Sequence, residues 1–166
     1  MNLVKIVSGG QTGVDQAALR AARACGLAIG GWCPPGRACE AGHIPEDLPL
    51  VETPEDRAPA SPDVPRSMRT EWNVRDSDAT LILRRMAGGA GGPGTEWTVR
   101  CTARYGRPLL VCDPAEPDTA ERIKAWLEAL PIHVLNVAGP SDAGQPGVGA
   151  EAEAVLRVVF AGLRRP

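Results

Sequence analysis

The feature that most constrains this chain is a unit that occurs twice: a short apolar run, a glycine-rich turn, then a stretch with helical spacing. In the first copy Leu3 to Val7 reads as a buried strand and Ser8-Gly9-Gly10-Gln11-Thr12-Gly13 breaks it. From Val14 to Cys25, Ala17, Ala18, Ala21 and Ala22 then fall on one helical face, with Gly26 as the stop. The second copy runs from the strand Thr80 to Leu83 through the turn Gly88 to Gly94 into the helix Thr95 to Tyr105, closed by Gly106. Leu109 to Cys112 and Ile132 to Val137 read as further strands, and Thr119 to Leu130 and Gly149 to Leu163 as further helices. Strands that are apolar throughout belong in a parallel sheet covered on both faces, so the expected class is α/β.

One region departs from this rhythm. Leu27 to Trp32 fits a short strand, but Cys33-Pro34-Pro35-Gly36 stops it, and Pro45, Pro49, Pro54, Pro59, Pro62 and Pro65 exclude a long helix afterwards. Irregular chain of this length in a compact domain is functional or mobile. The expectation is an ordered excursion from Gly36 to Leu50 beside the site, a flexible part from Glu55 to Pro65, and a short helix from Ser67 to Arg75. Residues 1–166 thus read as one ligand-binding domain with a Pro-rich excursion at about 33–65. The 19 Gly and 16 Pro exceed ordinary usage but stay below the level of low-complexity chains. A net charge of −2, with no basic run longer than two, argues against a general nucleic-acid binder. No apolar stretch is long enough to span a membrane, and Cys25, Cys33, Cys39, Cys101 and Cys112 show no paired CxxC spacing. A cytoplasmic protein with free thiols is expected.

The chemistry is expected at the glycine turns. Ser8 to Gly13 sits where an open α/β sheet binds ligands, outside a strand's carboxyl end and at a helix N-terminus, where backbone N–H groups and the helix dipole favour phosphate. Gly9, Gly10, Gln11, Thr12 and Gly13 are therefore candidate binding residues. It is not a P-loop, because no Lys follows Gly13, and no acidic residue ends the next strand to complete a dinucleotide fingerprint. Gly91, Gly92, Gly94 and Thr95 occupy the same position in the second unit, and two such turns can hold two parts of one ligand. The competing readings are a tight turn and a flexible linker. On a helix, Arg69, Asn73 and Asp76 share one face and either line a pocket or form a solvated, ion-paired end. Cys33, Cys39 and His43 lack a fourth ligand and the spacing for zinc, so buried thiols are the better reading. His133 reads as a core histidine. Trp32, Trp72 and Trp97 flank the expected site and either stack on a planar ring or pack in the core.

Five blocks taken together resemble the molybdenum carrier family, whose relatives include molybdenum-cofactor carrier proteins. They are Ser8 to Asp15, Gly30 to Arg37, Arg69 to Val74, Asp76-Ser77-Asp78 and Leu135 to Pro140. The resemblance covers most of the chain. It implies a Rossmann-like doubly wound sheet, assembly as a homo-oligomer (dimer or tetramer), and binding of molybdenum cofactor or a similar phosphorylated nucleotide-like ligand without reaction. Molybdoenzymes or cofactor-synthesis proteins would be its partners. On this reading Arg37 and Arg69 neutralise the phosphate, while Asn73, Asp78 and Asn136 orient the ligand.

The fold also looks like that of the lysine-decarboxylase-like phosphoribohydrolases, which carry a PGGxGTxxE motif. Here Ala90 to Thr98 keeps the glycines and Thr95, but Thr98 stands where the catalytic Glu would be. Arg69, nine residues before Asp78, lies about where that family has its catalytic Arg. A hydroxyl cannot take a proton at neutral pH, which favours a carrier over an enzyme. A nucleoside-monophosphate phosphoribohydrolase with a rearranged acid and a nucleotide-sensing module are the alternatives.

Overall fold

The computed structural model describes residues 1–89 and 91–163. Nine strands and five α-helices follow in chain order: β1 (Lys5–Val7), α1 (Val14–Ala24), β2 (Ala28–Gly30), β3 (Trp32–Cys33), β4 (Ala38–Cys39), β5 (Gly42–His43), β6 (Val51–Glu52), α2 (Ser67–Arg75), β7 (Ala79–Leu83), α3 (Gly92–Arg104), β8 (Leu109–Cys112), α4 (Thr119–Ala129), β9 (Val134–Ala138) and α5 (Val148–Ala161). Five strands form one all-parallel sheet in the order β2-β1-β9-β7-β8. The chain is a Rossmann-like α/β domain, as its strand and helix periodicities imply.

The strand order carries a second message. If β9 and α5 preceded β1, the sheet would read 3-2-1-4-5, the order of a doubly wound nucleotide-binding sheet. Leu3 and Val4, at the start of β1, and Phe160 and Leu163, at the end of α5, border the same hollow, so such a rotation would need only a short link. The place where strand order reverses therefore lies between β9 and β7.

Alternation along the strands splits the core. Ile6, Leu81, Leu83, Leu135 and Val137 face the layer of α1, α4 and α5, all at 0% exposure. Fully buried Ala17, Ala18, Ala21 and Ala22 let α1 lie close against α5, and Leu156, Val159 and Phe160 of α5 fill this core. Each fully buried Leu or Ile there contributes about 1.5–3 kcal/mol. On α2 and α3, Met68, Val74, Trp97 and Cys101 form a second cluster. Leu19, Cys33, Cys39, Ile44, Leu48 and Leu50 form a third, which ties the excursion to α1.

Several boundaries move for physical reasons. Gly31, at φ 129°, splits the expected strand Leu27 to Trp32 into β2 and β3. Helix α3 starts at Gly92 rather than Thr95, because Pro93 lacks only an N–H that a first helical turn leaves unbonded anyway. Glu55 to Pro65, read as flexible, is tied to α2. Met68 N donates to Asp56 O, Ala58 N to Ser67 Oγ and Ser67 Oγ to Ser61 O, and the Ala58 side chain is fully buried. His133 is exposed, not in the core, because β9 begins one residue after it.

Candidate functional site

Open α/β sheets bind ligands at the carboxyl ends of strands where the order reverses. Here a cleft of about 300 Å³ occupies that place. Its floor is Ile82 of β7 and Ala138, Gly139, Pro140 and Ser141 at and beyond the end of β9. The first turn of α3 (Gly94, Thr95), with Gly91 before it and Thr98 beyond, forms one wall. Arg66, Arg69 and Thr70 of the α2 N-terminal region form another, while Gln11, Asp15 and Glu40 close the rest.

The start of α3 is open to the cleft. No side chain caps it, and the first N–H groups of a helix have no intrahelical acceptor. Gly91 and Gly92 adopt φ of 89° and 81°, which side chains rarely tolerate, and a Cβ placed on Gly92 or Gly94 would meet nothing within 4 Å. Thr95 Oγ1 donates to Gly91 O at 2.9 Å and braces the turn from inside. The base of the β7–α3 loop is fixed by Met86 N donating to Asp113 Oδ2 and by Arg85, whose guanidinium binds both oxygens of Glu151. Ala90, in the glycine motif, lies outside the described residues.

Arg66 and Arg69 line the same cleft as this helix start. Arg69 lies directly over Gly9, where a Cβ would run into it, and its Nη1 reaches Asp15 Oδ2 at 3.1 Å. The same carboxylate oxygen accepts the Gln11 backbone N–H at 3.3 Å. Burial pushes the Asp15 carboxyl above its ordinary 3.8, opposed chiefly by the Arg69 charge; burial also lowers Arg69, opposed chiefly by Asp15. Arg66 stands in the left-handed region at φ 58°, a conformation that costs about 1–2 kcal/mol for a side-chain-bearing residue and recurs at functional sites. Its N–H is held by Asp56 Oδ2 at 3.2 Å. Arg66 is also close enough to depress Arg69 electrostatically. The cleft therefore sets two cations, Arg66 and Arg69, and two carboxylates, Asp15 and Glu40, around the space beside the open helix start.

The structure brings together Gln11, Arg69, Gly91, Gly94 and Thr95 of the sequence-predicted residues, with Gly92 beside them. Gly9 lies under Arg69. Gly10 and Gly13 are conformationally demanding, at φ 77° and 86°, but protein fills the space they leave: Leu50 and Ile44 over Gly10, and Pro140, Ser141 and Asp142 over Gly13. Thr12, beside them, does not line the cleft.

Four other residues are committed elsewhere. Arg37 staples the excursion through Pro45 O, Leu48 O and Leu50 O, at 2.7, 2.9 and 3.3 Å. Asn73 holds the Trp32 backbone through both its side-chain oxygen and nitrogen. Asp78 precedes β7, at the opposite end of the sheet, and accepts the His133 and Val134 N–H groups, which hold its carboxyl below the ordinary range. Asn136 is buried inside β9 and donates to Thr80 Oγ1 at 3.2 Å. The expected shared face of α2 divides: Arg69 enters the cleft, whereas Asp76 accepts from Trp32 Nε1. Trp32 and Trp72 pack edge to face, Trp97 is buried, and none of the three lines the cleft. Cys33 and Cys39 are buried, His43 pairs with Glu46, and no cluster suited to a metal occurs among the described residues.

Sequence reasoning missed Arg66, Glu40 and the loop from Gly139 to Ser141. The last carries a signal, since Asn136-Val137-Ala138-Gly139-Pro140 has the strand-to-turn form. Arg66 had none, because its importance rests on a left-handed backbone.

The protein is similar to a protein from Syntrophus aciditrophicus SB called "putative molybdenum carrier protein". The two share 37% sequence identity and superpose with a TM-score of 0.84 over 95% of each chain. No curated protein matches. Among the described residues no helix is long and apolar enough to cross a membrane. The model of the circularly permutated YpsA SLOG family matches residues 6–160, in agreement with the rotated strand order. The chain belongs to the circularly permutated YpsA SLOG family, the molybdenum carrier group that its sequence blocks resemble.

Proposed function

We propose that the cleft binds a phosphorylated, nucleotide-like ligand and carries it without reaction, with molybdenum cofactor the first candidate. The observation that carries this reading is the pairing of Arg66 and Arg69 with the uncapped start of α3 at the sheet's switch point. The phosphate would take the N–H groups near Gly94 and Thr95 and the two guanidinium groups. The name of the Syntrophus relative supports the choice of ligand. A carrier role is supported by Thr98, whose hydroxyl is spent on Gly94 O at 2.9 Å, and by Asp15, which is engaged by Arg69. Assembly as a homo-oligomer and a cytoplasmic location belong to the same proposal.

The test is anaerobic incubation with molybdenum cofactor, followed by gel filtration and measurement of retained cofactor and of its oxidation rate. Wild-type protein should retain it and slow its oxidation, and Arg66→Met should weaken retention. Equal retention by both would remove the arginine pair from the site.

Glu40 favours a second reading. It brings a carboxylate to the cleft from the excursion, so a phosphoribohydrolase with a displaced acid is the alternative. Release of free base from AMP, lost in Glu40→Gln, would establish that reading and end the non-catalytic one.

A further inference from the structure

Gln11 stands out among the cleft residues because half of its amide has no use within the protein. Its side chain is 6% exposed, and its Nε2 donates to Ala38 O at 2.9 Å. That bond fixes the orientation of the amide, since a flip would set oxygen against oxygen. Oε1 is left buried in the cleft wall with no donor. Buried acceptors are nearly always satisfied, and an exception in a ligand cleft points to a donor that arrives with the ligand.

A complementary orphan belongs to a second residue of the same cleft. Arg69 Nε is buried and has no acceptor, while its Nη1 is bonded to Asp15. Gln11, through its backbone N–H, and Arg69 are held on the same Asp15 oxygen. Both residues are therefore tied to one atom and line the same cleft.

Resting on the phosphate-binding reading above, we infer that Gln11 and Arg69 read the edge of a nitrogen heterocycle attached to the phosphorylated part of the ligand. Gln11 Oε1 accepts a ring N–H and Arg69 Nε donates to the neighbouring carbonyl. The matching chemistry is a lactam, an N–H beside a C=O, as pterins and 6-oxopurines carry. Asp15 is a positioning residue in this scheme, holding both readers in register. Gln11 thereby selects against sugar phosphates and inorganic phosphate, which use only the cationic half of the cleft.

Inosine 5′-monophosphate tests this directly, because N1–H is the only N–H of its base. Affinities of ribose 5-phosphate, inosine 5′-monophosphate and its N1-methyl derivative are measured by calorimetry on the full chain and on Gln11→Met. Wild-type protein should prefer the parent nucleotide over its N1-methyl form by about tenfold, the worth of one hydrogen bond. In Gln11→Met this preference should vanish. A crystal structure of the complex should place N1 within hydrogen-bonding distance of Gln11 Oε1. Equal binding of the two nucleotides by the wild type, a preference that survives in Gln11→Met, or a water between Gln11 and Arg69 with the base elsewhere would each overturn the inference. Failure of ribose 5-phosphate and both nucleotides to bind would instead overturn the phosphate-binding reading itself.

Discussion

The two glycine turns resemble each other in sequence and do opposite things. At the start of α1 the protein supplies its own ligand: Val14 N donates to Pro140 O at 3.2 Å, and the space above Gly13 is taken by Pro140 O at 2.5 Å from a would-be Cβ and by the Asp142 backbone. Neither helix has a side-chain cap, but at the start of α3 open space lies over Gly92 and Gly94. Glycine permits close approach in both places, by backbone in one and by solvent or ligand in the other. A glycine-rich strand-to-helix turn therefore marks a place of close approach without saying what approaches.

Substitutions sharpen this contrast, and the largest effect is expected at the residue between the turns. Arg69→Met leaves Asp15 buried without its cation and should lower stability by about 3–5 kcal/mol at neutral pH, read as a shift in the urea midpoint. The sign of the pH dependence follows from the raised Asp15 carboxyl. Its contribution to stability is greatest below the ordinary 3.8 and is lost as pH rises through its folded value. The deficit of Arg69→Met should therefore shrink on acidification, and a deficit independent of pH would show that Asp15 is not its source.

Next in size, Gly13→Ala forces a Cβ into Pro140 and Asp142 at a left-handed backbone and should cost about 3 kcal/mol. A loss below about 1 kcal/mol would mean that the Pro140 loop yields, and that the first turn is less closed than described. Arg66→Gly should relieve the left-handed strain and raise stability by about 1 kcal/mol, while weakening phosphate affinity. Thermal unfolding and calorimetry read the two effects separately, and both must move for Arg66 to be a strained binding residue.

The smallest effect is expected at Gly94→Ala. A helical glycine with free space around it should gain about 0.5–1 kcal/mol on substitution, yet the new methyl stands where phosphate would approach. Higher melting temperature with lower affinity is the expected pair. Unchanged affinity would show that the ligand keeps away from the second turn as well.

Most of the fold was legible because its signals are local. Apolar runs, alanine spacing and terminal glycines placed all five helices and all five strands of the central sheet to within a few residues, and the missed start of α3 turned on how a first helical turn tolerates Pro93. The lining of the cleft was legible where backbone geometry defines it, at Gly91 and Gly94, and at Gln11 and Arg69 beside them. It was not where a polar side chain's partner is set by tertiary contact. Arg37, Asn73 and Asn136 have the right chemistry for a ligand and spend it on Leu48 O, the Trp32 backbone and Thr80. Asp78 is different, since a residue before a strand lies at its amino end, away from where such sheets bind, and its place in the sequence already argued against it.

The position of β9 has a consequence for how the molecule is made. It is the last strand of the sheet in the chain, yet it lies in the middle, joining Ile6 of β1 through Leu135 and Leu81 of β7 through Val137. Synthesis delivers the N-terminal elements first. Until about residue 138 is available, β2-β1 and β7-β8 are separate pairs with bare inner edges, and the Gly139 to Ser141 floor does not exist. The cleft is thus complete only when the final strand slots between two waiting halves.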